Sequence, residues 1–257
     1  MLGITNKSEV SIENSQEHTF SIIELKSTEF DSLVSELVSL LPTHYISPEA
    51  IADILNRLGK GAAAQKLREK IPEVKKIRSS DIGEIITTDY IKECTDFDVP
   101  ISKLWWRDHR NMAMRGDDVI GIHVNPIDKT VHFLKAEAKA NKNISRSVLR
   151  KAREELDNDK GLPAPHALGF VIDRHKDIGE TQLANLLEKA QLVDGIRANQ
   201  VEHLLFTFTA SNPAGLQKEA FEAYDGNIKQ SSVGFQVGNH QELIASVYQG
   251  VLDGLDN

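Results

Sequence analysis

Two apolar runs on either side of a short turn constrain this chain more than any other feature. Val119-Ile120-Gly121-Ile122 leads into Asn125-Pro126-Ile127-Asp128-Lys129, a turn by composition, and a second run follows over residues 130–138. This pattern predicts an antiparallel hairpin with Val124 facing Val131. The same register, carried outward along both strands, sets Asp118 opposite Glu137. Directly opposed residues have Cβ atoms about 4.5–5.5 Å apart. Two carboxylates that close repel unless a cation lies between them or one is protonated. Hard oxygen ligands favour magnesium or manganese over zinc. The hairpin thus points to a divalent-metal site. Lys139 follows Glu137 by two residues and shares its face of the strand. It would orient a water or neutralise charge developing on a phosphate. Asp117 is the alternative ligand to Asp118; Asp118 is favoured because it shares a face with Ile120, Ile122 and Val124.

A Glu-x-Lys triplet alone says little, since the chain also contains Glu24-Leu25-Lys26 and Glu73-Val74-Lys75. Glu73 sits beside Pro72 in a charged connector, and no apolar hairpin partner bearing a carboxylate precedes Glu24. The copy at Glu137 has an upstream aspartate, an aligning register and an apolar setting in which unpaired carboxylates are costly. The plainer reading of Glu137 and Lys139 is an edge-strand salt bridge.

Elsewhere the patterning predicts a mixed α/β chain. Strands are expected over residues 18–26, 101–106, 118–124, 130–138, 167–172, 203–209 and 233–237. Helices are expected from Phe30 until Pro42 closes the pattern, from a Ser47-Pro48-Glu49 cap to Leu58, over residues 62–70, and from a cap at Ser80 or Asp81 to about Glu93. Further helices are expected from about Ile144 through Leu156, over residues 180–192, and over residues 240–252. The order after Asp81, helix, three strands, helix, strand, predicts a central mixed sheet. Residues 1–78 are expected to form a mainly helical N-terminal appendage, and residues 79–257 the main domain.

Composition removes several function classes. With 257 residues and 40% hydrophobic content, a large core needs no staples, and the lone Cys94 excludes an internal disulfide and a thiolate zinc cage. No apolar run approaches a membrane span and the N-terminus lacks a signal-peptide pattern, so a cytoplasmic location is expected. Gly59-Lys60-Gly61 lacks the spacing of a phosphate loop, and neither an H-E-x-x-H helix nor a G-x-S-x-G elbow is present. ATP hydrolysis would have to come from another polypeptide. The net charge of −8 argues against charge-driven adhesion to nucleic acid. Trp105, Trp106, Arg107, His109, Arg110 and Arg115 form a local basic and aromatic cluster within that acidic chain. Such groups stack bases and hold phosphates; alternatively one tryptophan fills the core and Arg107 pairs with Asp108.

Asp118 and Glu137-Ala138-Lys139 on the second and third of three strands, with Gly83-Glu84 on the preceding helix, resemble the PD-(D/E)xK nuclease superfamily over residues 80–210. Asp81-Ile82-Gly83-Glu84, Leu104-Trp105-Trp106-Arg107-Asp108-His109-Arg110 and Gly116-Asp117-Asp118-Val119-Ile120-Gly121 resemble, more narrowly, the HamA family of nuclease subunits in Hachiman anti-phage defence. The resemblance implies a restriction-endonuclease-like core: helix, three-stranded antiparallel meander, helix, strand. It also implies a magnesium-dependent deoxyribonuclease that works with a HamB-like ATP-dependent helicase and is restrained until aberrant DNA is sensed. Carried over by position, Asp118, Glu137, the Ala138 carbonyl and Glu84 would bind Mg²⁺ or Mn²⁺, with Lys139 completing the catalytic set. Many superfamily members place a glutamine in the next helix, where this chain has Ser145, Arg146 and Ser147; Arg146 would hold a phosphate. The rival readings are a non-catalytic scaffold and a helix-turn-helix DNA-binding regulator built on residues 47–70, with Lys66, Arg68 and Lys70 on its second helix.

Overall fold

The computed structural model describes residues 1–15, 18–114 and 116–256. Its strands are β1 (Ser8–Ser15), β2 (His18–Leu25), β3 (Val119–Val124), β4 (Val131–Ala140), β5 (Val201–Thr209) and β6 (Lys229–Gln236). Its helices are α1 (Phe30–Tyr45), α2 (Pro48–Leu58), α3 (Lys60–Lys70), α4 (Lys75–Cys94), α5 (Arg146–Asp157), α6 (Pro165–Asp177), α7 (Thr181–Lys189), α8 (Ala214–Glu222) and α9 (His240–Asp256). The strands form one mixed six-stranded sheet in the order β1-β2-β6-β5-β4-β3. The inner pairs are parallel, and the outer pairs, β1 with β2 and β3 with β4, are antiparallel.

Helices cover both faces, as parallel strands require. Side chains alternate along β5: Leu204, Phe206 and Phe208 join an apolar cluster with Leu33 and Leu37 of α1, Ile82 and Ile86 of α4, and Val247 of α9. Leu205 points the other way, onto Leu149 and Leu156 of α5. Ile120, Ile122 and Phe133 of the hairpin are covered by Leu168 and Ile172 of α6 and Leu187 of α7. The first 78 residues contain helices, as expected, and also two strands. There β2 extends the sheet beside β6, and Leu33, Leu37, Leu41 and Leu67 line the same core as α4 and α9.

Four local expectations are corrected. Residues 101–106 do not form a strand: Pro100 has no N–H to continue a ladder, so pairing stops at an isolated bridge between Asp98 and Ile122, and Lys103–Trp106 coils into a 3₁₀ turn. The expected three-stranded meander is therefore a two-stranded hairpin plus that bridge. Residues 167–172 are helical, because Pro165 starts α6 and Ala167, Leu168, Ile172 and His175 fall on its buried face. A short apolar run cannot be assigned by periodicity alone. Helix α4 begins at Lys75, which puts Asp81 inside it and fully buried instead of at a cap. Pro42 lies within α1 instead of ending it.

Candidate functional site

The hairpin has the expected register, with Val124 opposite Val131 and Val119 opposite Ala136. Asp118, one residue before β3, accepts a 3.0 Å hydrogen bond from the Ala138 amide to its Oδ2, which fixes its carboxylate against β4 between Glu137 and Lys139. Glu137 is buried, and Lys139 Nζ donates to its Oε1. Asp117 turns elsewhere. Its Oδ1 lies 3.5 Å from the buried Lys135 ammonium, and its Oδ2 accepts from the Ala164 amide at 2.8 Å. The side chain that joins Glu137 is thus Asp118.

Glu84 comes from α4, and a glycine sets its distance. A Cβ built on Gly83 would stand 2.8 Å from the Ala140 Cβ, closer than two such atoms approach, so only glycine lets α4 lie this near the end of β4. The 3₁₀ turn supplies a residue that the sequence did not reveal: Lys103 Nζ lies 3.2 Å from Glu84 Oε2 and 3.9 Å from Asp118 Oδ1. Its one signal was a lysine between Ile101-Ser102 and Leu104-Trp105-Trp106 in a largely apolar segment. Glu84, Lys103, Asp118, Glu137 and Lys139 therefore converge from separate segments.

Three carboxylates meet two ammonium groups here, and the surplus of negative charge is felt. Burial, reinforced by Asp118 and relieved in part by Lys103, pushes Glu84 up to about 7. Burial and then the Asp118 charge push Glu137 up to about 8. Burial works against the charge on Lys103 and Lys139, but their acidic neighbours outweigh it and both are raised. Among the described residues no three His, Cys, Asp or Glu side chains stand together as a metal cluster; here the lysines lie against the acids. The donors themselves, carboxylates and a backbone carbonyl, are hard oxygens of the kind that magnesium and manganese take. The donor chemistry matches such an ion.

A cavity of about 720 Å³ opens beside the cluster, with Glu84, Lys103 and Asp118 on its wall. The expected DNA contacts are placed less uniformly. Arg107 is buried in a bidentate pair with Asp81, Nη1 to Oδ2 at 2.7 Å, so it pairs neither with Asp108 nor with solvent-borne phosphate. Arg110 pairs with Glu73, and exposed Arg146 pairs with Glu219. His109 is exposed on the cavity wall. Arg115 lies outside the described residues. Trp105 donates its indole N–H to the Thr43 carbonyl, and Trp106 lies edge-on to Phe170. The basic residues of the expected helix-turn-helix are likewise engaged: Lys66 with Glu69, Arg68 with Asp256, and Lys70 with the Trp105 and Arg107 carbonyls.

No helix among the described residues is long and apolar enough to cross a membrane. A model of the HamA family matches residues 3–251. Hachiman protein HamA of Bacillus cereus is 26% identical over 171 residues, which is 64% of this chain and 60% of that relative. The match thus spans less than two thirds of that relative's length.

Proposed function

This chain belongs to the HamA family, and from that membership, which points to Hachiman anti-phage defence, we propose that it is a metal-dependent DNA nuclease. The observation that carries the reading is the hairpin register, which seats Asp118 against the Ala138 amide beside Glu137 and Lys139 while α4 adds Glu84. In this reading the sheet, α4 and α5 follow the restriction-endonuclease-like plan, with one meander strand reduced to a bridge.

Asp118 and Glu137, with the Ala138 carbonyl and Glu84, would hold Mg²⁺ or Mn²⁺. When bound, such an ion supplies Lewis acidity toward a phosphoryl oxygen. The remaining work belongs to the chain. Glu137, which burial keeps protonated near neutrality, would give up its proton on becoming a ligand, so loading would release protons. Lys139, now paired with Glu137, would then have its ammonium free to hold the attacking water or the negative phosphate. Lys103, already reaching Glu84 and Asp118, adds positive charge where the phosphodiester must approach two acids.

A net charge of −8 and the engaged arginines give this chain little grip on DNA of its own. Delivery by a HamB-like ATP-dependent helicase, in a complex that restrains cutting until aberrant DNA is met, supplies what the chain lacks.

The test is nicking of supercoiled plasmid by the purified chain with Mg²⁺, Mn²⁺ or EDTA, with and without the neighbouring helicase, beside Glu137→Ala and Lys139→Ala. Metal-dependent cutting lost in both variants is expected. Intact DNA in every lane, damaged DNA and helicase included, would leave a scaffold.

A further inference from the structure

We infer that the cavity beside Glu84, Lys103 and Asp118 seats one unpaired nucleobase of the DNA strand whose phosphate lies at the acids, an inference that rests on the nuclease reading. Its volume, about 720 Å³, falls among pockets that enclose small organic ligands, roughly 300–1,000 Å³. A base inside a duplex cannot enter such a pocket without leaving its stack.

Charge decides what the cavity does not hold. Its cations are committed: Arg107 to Asp81, Lys103 to Glu84 and Asp118, and Arg174 to Asp177 at 2.7 Å. Asp108, Asp117 and Asp118 also line it, so a second phosphate finds no surplus of positive charge. What remains is aromatic, apolar and weakly polar. Trp106 and Phe170 form an edge-to-face pair with centroids 6.0 Å apart, and Met112 lies exposed on the same wall. Arg174 lies 5.5 Å from the Trp106 centroid and 5.3 Å from that of Phe170, and its buried Nε has no hydrogen-bond partner. His44, held neutral because burial and then Lys92 lower it to about 4, offers one donor and one acceptor on the cavity wall. Stacking surface and a neutral imidazole are the chemistry of a base, and the shared wall with Glu84 and Asp118 puts it next to the scissile phosphate.

The chain has two tryptophans, so Trp105→Phe leaves Trp106 as the reporter. In a Glu137→Gln background with EDTA, its emission is titrated with three probes: a thymidine pentanucleotide, the same phosphate chain of abasic deoxyribose, and a short duplex. We expect quenching by the pentanucleotide and at least about tenfold weaker binding of the abasic chain, as loss of base stacking entails. Phe170→Leu and Ala113→Phe, the latter narrowing an exposed part of the lining, should each bring the two single strands to one affinity. Equal binding of base-bearing and abasic chains, equal quenching by the duplex, or no quenching at millimolar strand would each overturn the seat. Plasmid cutting separates the two readings. Cutting retained with base-blind binding defeats the seat alone, whereas base-dependent binding without cutting in any metal defeats the nuclease.

Discussion

One turn of α4 launches two carboxylates, Asp81 fully buried and Glu84 half-buried, into opposite circumstances. Asp81 meets Arg107 in a bidentate pair and accepts from the Tyr45 hydroxyl, which lies 2.8 Å from the Tyr248 hydroxyl; Tyr248 in turn donates to the Arg78 carbonyl. One acid has one base, and both tyrosines are pushed upward in pKa by burial, so their hydroxyls keep their protons. Glu84, three residues on, meets Lys103 but also the field of Asp118, in a cluster that holds more acids than bases and borders a cavity. The first arrangement ties α1, α4, α9 and the loop after the 3₁₀ turn together. The second is left with charge to be met from outside. Burial of a charged group, full or partial, is common to both; the balance of charge around it separates framework from chemistry.

The largest expected effect breaks the framework. Arg107→Met strands Asp81 in the core and should cost about 3–5 kcal/mol in urea unfolding. Glu84→Gln, in the same assay without metal, should leave stability unchanged or raised, since burial already disfavours its charged form. Equal losses from the two substitutions would erase the distinction.

Next in size is Gly83→Val. Its new side chain meets Ala140, and overpacking of this kind costs about 1–3 kcal/mol. Metal-dependent cutting should fall much further than stability, because α4 must retreat and take Glu84 with it; a plasmid assay beside a melting curve reads both.

A smaller effect follows from pH. Glu84 and Glu137 titrate near about 7 and about 8 in the fold, above the ordinary carboxylate range. The folded state therefore binds protons that the unfolded chain has released. Their contribution is full below about pH 4 and is lost as pH rises through 7 and 8. Between about pH 4.5 and 8 the metal-free protein should lose melting temperature relative to Glu137→Gln, levelling off above about 8, and millimolar Mg²⁺ should close that gap. Parallel curves for both proteins would show that Glu137 is already charged.

Arg146→Ala, which removes an exposed pair with Glu219, should leave both stability and cutting unmoved. Loss of cutting there would restore Arg146 as a phosphate contact.

What was legible in the sequence follows from range. The hairpin register needs only a turn and two alternating strands, so Asp118 and Glu137 were placed from nearby residues. The Ser47 cap is local too, and its hydroxyl accepts the Ala50 amide as expected. Lys103 and Arg107 could not be found that way. Their partners, Glu84 and Asp81, lie on a helix separated from them by loop, the Asp98 bridge and Pro100, and no periodicity links positions across such a stretch. Residues 167–172 failed for a different reason: six apolar residues suit a buried strand and a buried helix face equally, and Pro165 was the cue that settled it.

The parallel seam between β2 and β6 has a consequence in time. His18 and Gln230, whose side chain and amide are hydrogen bonded there, lie 212 positions apart. At about 5–20 residues per second of synthesis, roughly 10–40 seconds separate their appearance on a ribosome. Throughout that interval the β1–β2 ribbon has no neighbour to lie against. The chain thus completes its sheet by joining its earliest strands to its last one, and half of the rim stays open until translation is nearly over.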